Sequence, residues 1–528
     1  MSKDSVSNSL TASDLYLAID QGGQSTRVAV YSEYGEQICN YSAACATEHR
    51  QTQSSAYPHI EQNGEEILAG IRECLQKIQL HLGDNISRIR AASFAGQGSS
   101  LLCWNNQTGQ ALTPVLSWQD IRGEPYLKTI ALTNNQVQQL TGVRLSPHYG
   151  ATKMRWCLEH SEAVIQARQN HCLSIGPIVS YIFWHLCEQK VTGAKQVLVD
   201  PGHAQRTLLW SLQQHDWDQS LLDAFQIPRE LLPQCRYHNS HFGSFTLGNQ
   251  LIPFTASARD QGASLFARGM PESDCVYINI GTGAFIQRVS ESLRAPEGLL
   301  VSPLWLPEHL SSKNPVALNQ TIDVASLTCY AEEFANAQVY KSLYAWEATV
   351  NGAASAMAFM QEQTGLAITP QEMEHALALN PAGNCYFLNA VGGLSAPYWR
   401  TDLESKFSGD LSSNEKILAW LESVIFQIVV NVQLMNQLGA VKKIIISGGF
   451  SKSNSVCQKI ADLTQANVHR SDNADATVQG AACMAAGLPN SWRPAVNEEI
   501  FRPQQNLELE KRFAKWQQAM GVWLSELL

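Results

Sequence analysis

Within residues 253–283, PFTASARDQGASLFARGMPESDCVYINIGTG, one acid, Asp260, lies in a loop of small residues, and a β-type run then stops in Gly281-Thr282-Gly283. A strand ending in Gly-Thr-Gly frees backbone N–H groups and a hydroxyl for an anion, because glycine lets the backbone approach closely. An acid beside such a turn supplies what phosphoryl transfer needs: a group to accept a proton, and donors for phosphate charge. The same features have a plainer reading, a capping Asp and a tight turn. A second constellation opens the chain. The apolar run 15–19 ends in Asp20-Gln21-Gly22-Gly23-Gln24-Ser25-Thr26-Arg27, and a second β-type run follows at 28–31. Strand, glycine-rich turn with an acid, strand: this is a hairpin whose tip can hold phosphate and metal. Two more strand-end loops, Ala95-Gly96-Gln97-Gly98-Ser99-Ser100 and Ser117-Trp118-Gln119-Asp120-Ile121-Arg122, can hydrogen-bond a polyhydroxylated ligand while a ring stacks on its apolar face. Asp120 and Arg122 read equally well as a structural ion pair.

These loops need strands to hold them. Periodicity predicts a helix over 65–82 with Gly83 as its C-cap, and a strand over 89–94 with 101–104 as its return partner. Residues 123–195 read mostly helical, 216–232 as a helix broken before Pro228, and a β–turn–β pattern resumes from Leu247. A helical block is expected over 331–365 and further helices over 372–379 and 417–438. A strand at 443–446 runs into SGGFSKSN, a small-residue helix opens at 476–482, and 492–528 includes an amphipathic helix. Strand-to-glycine turns recur at 19–23, 280–283 and 446–449, and the first two each open a hairpin. A duplicated α/β domain would look like this, each half giving a phosphate-holding hairpin to one cleft. No G-x-x-x-x-G-K-[ST] occurs, and no G-x-G-x-x-G follows the first strand, so a nucleotide would bind between these hairpins.

At 528 residues the chain is too long for one core. With 45% hydrophobic and 16% charged residues it reads as a well-packed, soluble globular protein. A net charge of −10 argues against nucleic acid or an anionic membrane as the main partner. The 13 cysteines form no C-x-x-C pair and no zinc-spaced cluster, which fits buried thiols in a reducing compartment. The polar N-terminus lacks a signal-peptide core, and the apolar stretch 417–438 is broken by Glu422, Gln427, Asn431 and Gln433, so the expectation is a cytoplasmic protein that spans no membrane.

Taken in order, several stretches resemble the FGGY carbohydrate kinases, and within them the glycerol-kinase branch. They are DQGGQSTR, LTGVRLSPHYGATKMRW, AQRTLLW…DWD…IPRELLP, RDQGASLF, INIGTGAF, GGLSAPYW, ISGGFSKSN and TVQGAACMAAGL, covering residues 15–488. The resemblance implies an α/β fold of two actin-like (ribonuclease H-like) domains, mixed sheet plus helices, around a catalytic cleft. The expected division is a tail at 1–13, an N-terminal domain at 14–255, a C-terminal domain at 256–490 and a helical extension at 491–528. It implies ATP-dependent phosphorylation of a hydroxyl on a small polyol or ketose, with Mg²⁺, and leaves a homodimer or homotetramer open. By position, Asp260 would be the general base, and Asp20, with Asp260 nearby, would hold Mg²⁺. Gln97, Gly98, Ser99, Trp118, Asp120, His148 and Gln261 would surround the acceptor. Gly22, Gly23, Gln24, Ser25, Arg27, Gly281, Thr282 and Gly283 would meet the phosphates, with Gly448, Gly449 and Asn454 at the adenine and ribose.

The departures carry information too. Where glycerol kinases have the Arg and Glu that grip glycerol, this chain has Gly98 and Ser99, and their substrate-contacting Tyr falls on His148. Smaller residues there suggest a wider pocket and an acceptor larger than glycerol: a tetritol, a pentitol or a ketopentose. Gly23 and Gln24 replace hydroxyl residues usual in the first hairpin. That change supports a second reading, a catalytically weak relative serving as a sugar or nucleotide sensor or scaffold.

Overall fold

The structure, a computed structural model, describes residues 13–51, 57–188, 195–308, 341–381, 384–471, 473 and 475–525. Most of the expected tail, 1–12, and the 331–340 part of the expected helical block lie outside those residues.

Contacts divide the chain into two compact units. One comprises Met1–Pro271, Ser302–Tyr344 and Asp475–Ala495, the other Glu272–Val301, Ala345–Ala474 and Val496–Leu528. This differs from a boundary at 255/256. Strand Gln250–Arg259 pairs in parallel with Ile89–Gly96, so the chain cannot leave the first unit before its sheet is complete.

The first unit's main sheet has the order Ser244–Leu247, Gln250–Arg259, Ile89–Gly96, Leu15–Gln21, Ser25–Ser32, Gln37–Ala44. Its three middle strands run parallel, with Gln21 and Arg259 both in register with Gly96. They are wholly or largely buried, as strands covered on both faces must be. Helix Gly64–Leu82 covers one part of the sheet; Asn63 caps its start and Gly83 ends it, as expected. Strand Leu101–Asn105 does not return along Ile89–Gly96, because both edges of that strand are already taken. It joins a second sheet, between Val115–Leu116 and Leu173–Pro177.

The second unit repeats the plan. Strand Cys275–Ile280 forms a hairpin with Ala284–Ser290 and pairs in parallel with Lys443–Ser447, which pairs in parallel with Asn467–Ser471. Leu15–Gln21 stands likewise between its hairpin partner and two parallel strands. Residues 343–350 are a strand, not helix: LYAWEATV is buried almost throughout and carries β-branched and aromatic residues suited to a sheet. The apolar helix Ser413–Met435 has the length and composition of a membrane span, yet its most apolar window is 83% buried within the protein, as a core helix is. Every described cysteine is free, and all but Cys235 are buried.

Candidate active site

In the first unit the parallel register brings three chain segments to one sheet edge: Asp20-Gln21, Gly96-Gln97 and Arg259-Asp260. Ligands in such sheets bind beyond the carboxyl ends of the strands. Asp20 is only 7% exposed. Burial, then the nearby charge of Asp260, push its carboxyl up to about 7, against the pull of Arg27. Arg27 lies 3.8 Å from Asp20 and 3.9 Å from Asp475. Asp260 opens the short helix Asp260–Ala263 and accepts the N–H of Gln261 at 2.7 Å. Burial raises its pKa, opposed by that N–H and by the charges of Arg259, His203 and Arg206. Two carboxyls held in a poorly solvated place, each harder to ionise than usual, make this edge the candidate site.

The hairpin tip is held from beneath by amides. Gln21 Nε2 donates to the Gly22 carbonyl at 2.8 Å, and Gln62 Nε2 to the Gly23 carbonyl at 2.9 Å. Gln97 Nε2 donates to Gln21 Oε1 at 2.9 Å and to Gln62 Oε1 at 2.6 Å. Thr47 Oγ1 also donates to the Gly23 carbonyl. Gln24 faces solvent and Ser25 begins the return strand.

Around Gln97 the other expected acceptor residues assemble. Trp118 is 44% exposed, a large ring left uncovered beside the site. Its carbonyl accepts from His148 Nδ1 at 3.2 Å; since a carbonyl cannot donate, that ring nitrogen carries the proton. Ser99 sits at φ 64°, where a residue other than glycine is uncommon. The buried Lys153 ammonium explains why the loops stay there. Its Nζ donates to the carbonyls of Ser99 (2.7 Å), Ser117 (2.9 Å) and His148 (3.0 Å), one hydrogen for each loop. Burial pushes its pKa down to about 7.

Two expectations need correction. Asp120 is no open ligand: its oxygens take Arg122 Nε and Nη2 at 2.9 and 2.6 Å and the Ile60 N–H at 2.8 Å, in full burial. Burial alone would raise its pKa, but Arg122 outweighs that and holds it low. Arg122 also bonds Glu61 at 2.7 Å, so the structural ion pair is the reading that holds. Nor does Gly98 simply widen the pocket. A Cβ there would lie 3.2 Å from both the Arg206 and Arg259 stems, which fill that space.

The second unit contributes a separate group. Gly281-Thr282-Gly283 closes its hairpin, with Gly281 N–H donating to the Gly283 carbonyl at 2.8 Å, and Thr282 is exposed. Gly448, at φ 94°, ends the neighbouring parallel strand, and a Cβ there would lie 2.4 Å from the Ile280 carbonyl. No other residue fits. Exposed Gly449 follows, and Asn454 begins helix Asn454–Thr464, capped by Ser453.

Sequence reasoning passed over Gln21, Gln62, Lys153, Arg206 and Arg259 as site groups. A lysine on the buried side of helix Gly150–His160, beside Met154 and Cys157, was the one legible signal.

The chain matches the family model described as FGGY family of carbohydrate kinases, N-terminal domain, over residues 15–267, and the corresponding C-terminal domain over 308–487. It is 27% identical to a glycerol kinase of Trichodesmium erythraeum (strain IMS101), across 96% of this chain and 97% of that one. Among solved structures it resembles Plasmodium falciparum glycerol kinase with ADP (TM-score 0.77, 19% identity, 97% and 98% of the two chains covered). It also resembles gluconate kinase from Lactobacillus acidophilus (TM-score 0.76, 19% identity, 97% and 99% covered). With both halves of one family matched in order, and the shared actin-like fold around them, the chain belongs to the FGGY family of carbohydrate kinases, phosphotransferases that use ATP and an alcohol acceptor.

Proposed function

We propose that this kinase moves the γ-phosphate of ATP to a hydroxyl of a tetritol, pentitol or ketopentose in preference to glycerol, with Asp260 as general base. The observation that carries the mechanism is the pairing of Asp20 and Asp260 at one sheet edge, both with raised pKa. An ordinary aspartate is too weak a base to deprotonate an alcohol outright. A half-buried one with a raised pKa is a better proton acceptor, and a loose phosphoryl-transfer transition state asks only for late proton acceptance. Gln261 and Gln97 would bind acceptor hydroxyls, with Trp118 as apolar wall and Ser99 and His148 as flanking groups. Arg27 and the residues 22–25 would face phosphate oxygens, and Gly281, Thr282, Gly283, Gly448, Gly449 and Asn454 would serve the nucleotide.

The carboxyls of Asp20 and Asp260 fit Mg²⁺: they are hard oxygen donors, and the charge of Asp260 raises the pKa of Asp20 in spite of Arg27. Among the described residues no three His, Cys, Asp or Glu gather as a ligand cluster. Mg²⁺ is usually held by one or two carboxylates, with water and phosphate oxygens completing its shell. When bound, it would neutralise charge on the phosphates. Preference against glycerol is supported by the changed polar groups at Gly98, Ser99 and His148 rather than by volume, since the arginine stems occupy the room at Gly98.

ADP release measured against three- to seven-carbon polyols and ketoses tests this. Sugar-dependent release is expected, with glycerol a poor acceptor. Asp260→Ala should lower kcat by at least ~100-fold with ATP binding kept. A near-normal rate in that variant would remove Asp260 from the mechanism, and silence across the panel despite ATP binding would favour the sensor.

A further inference from the structure

The three glutamines beneath the hairpin leave no freedom in which way each amide points. The Gly22 and Gly23 carbonyls can only accept, so Gln21 and Gln62 must turn their nitrogens toward them. Both therefore present oxygens to Gln97, which must turn its own nitrogen to the pair. Gln97 Oε1 is left facing the other way. That oxygen is buried, has no hydrogen-bond partner among the described residues, and belongs to a residue only 2% exposed. It lies 3.9 Å from where a Cβ on Gly23 would be, and Trp118 Nε1 lies 4.0 Å from the same point. A buried acceptor without a donor is uncommon enough to need a reason.

We infer that Gln97 Oε1 is a fixed-polarity subsite that takes a hydrogen-bond donor from the acceptor substrate, a hydroxyl and not a carbonyl, carboxylate or ether oxygen, with Gln21 and Gln62 as its positioning residues. This rests on the proposed function, and narrows it. Where a ketose binds, its carbonyl lies elsewhere along the chain. The relay also joins the acceptor subsite to the carbonyls of the phosphate hairpin, so the residues that choose the hydroxyl also brace the tip.

Calorimetric titration of the full-length protein with glycerol, erythritol, ribitol, xylitol and xylulose identifies the tightest binder. Its analogues with hydrogen or fluorine replacing each hydroxyl in turn are then titrated. Fluorine accepts weakly and cannot donate. At one carbon, both analogues should bind at least ~10-fold more weakly, the cost of leaving a buried acceptor unmet. Gln97→Met should abolish the penalty at that carbon and leave the others unchanged. Gln62→Met, which removes one of the two oxygens fixing the amide, should reduce the same penalty, and it carries the test if Gln97→Met does not fold. Penalties unchanged in the folded variant, fluorine binding as well as hydroxyl at every carbon, or no binding by any probe would each overturn the inference. ADP release run in parallel separates the two claims: a Gln97-dependent carbon without ADP release refutes the kinase reading alone, and ADP release without such a carbon refutes this inference alone.

Discussion

A single carboxyl shows how function and stability pull apart. Asp20 has its pKa raised from 3.8 to about 7, so folding disfavours its charged form. For an acid raised in this way, the penalty is absent below the unfolded value, grows as pH climbs between the two, and is complete above the folded one. The shift corresponds to a few kcal/mol at most at pH 8. Asp20→Asn should therefore raise Tm in metal-free buffer at pH 8, raise it less at pH 5, and abolish turnover at both. Thermal melts at the two pH values check this, and a lower Tm at pH 8 would show that Asp20 is a stabilising group. The placing of Asp20 and Asp260 at strand ends was legible in the sequence, because each closes an apolar run beside glycines. Asp120 was not resolvable there: an acid two residues from an arginine reads alike as ligand or ion pair until burial decides.

Among the elements, the short helix that carries Asp260 depends on a neighbour. Helix Ala476–Ala485 lies so close to it that a Cβ on Gly480 would stand 1.8 Å from the Ala263 carbonyl. Backbone cannot yield as a flexible side chain can. Gly480→Ala should cost about 1–3 kcal/mol or more from overpacking and lower kcat by displacing Asp260. Gly521→Ala, in an exposed helix position with nothing among the described residues within 4 Å, should be neutral or slightly stabilising. Urea unfolding of both variants with kcat measurements checks the pair; a fully stable, fully active Gly480→Ala would mean the helices can part freely. Helices with caps, such as Gly64–Leu82, were legible from the sequence. Strand 343–350 was not, since a short apolar run carries no period to separate helix from strand. The partner of Leu101–Asn105 was hidden for another reason: pairing depends on which edges are already occupied.

At the scale of the whole molecule, the repeated plan of hairpin plus two parallel strands was legible from three recurring turns, while the unit boundaries were not, because the chain enters each unit more than once. From Val496 on, the expected C-terminal extension belongs with the second unit, while 491–495 belong with the first. Strand Glu498–Phe501 pairs with Asn467–Ser471, and helix Leu507–Ser525 sends Arg512 to Glu422 at 2.9 and 2.8 Å. Glu422 is 1% exposed and also holds Lys459 at 3.0 Å. Removing one cation leaves a buried carboxylate half-compensated. Arg512→Ala should cost roughly 2–4 kcal/mol, read as a lower denaturation midpoint and faster hydrogen exchange in 507–525. No change in either would make the helix an appendage.

The packing at Gly98 bears on which substitutions this loop can take. Because a Cβ at 98 would lie 3.2 Å from the stems of both Arg206 and Arg259, tighter than ordinary contact, substitutions at the three positions are coupled. A side chain added at 98 requires both arginine stems to give by a few tenths of an ångström, so it is accommodated most readily together with a smaller residue at 206 or 259. Redesign of this loop is therefore a matter of changing positions 98, 206 and 259 as a group, not one at a time.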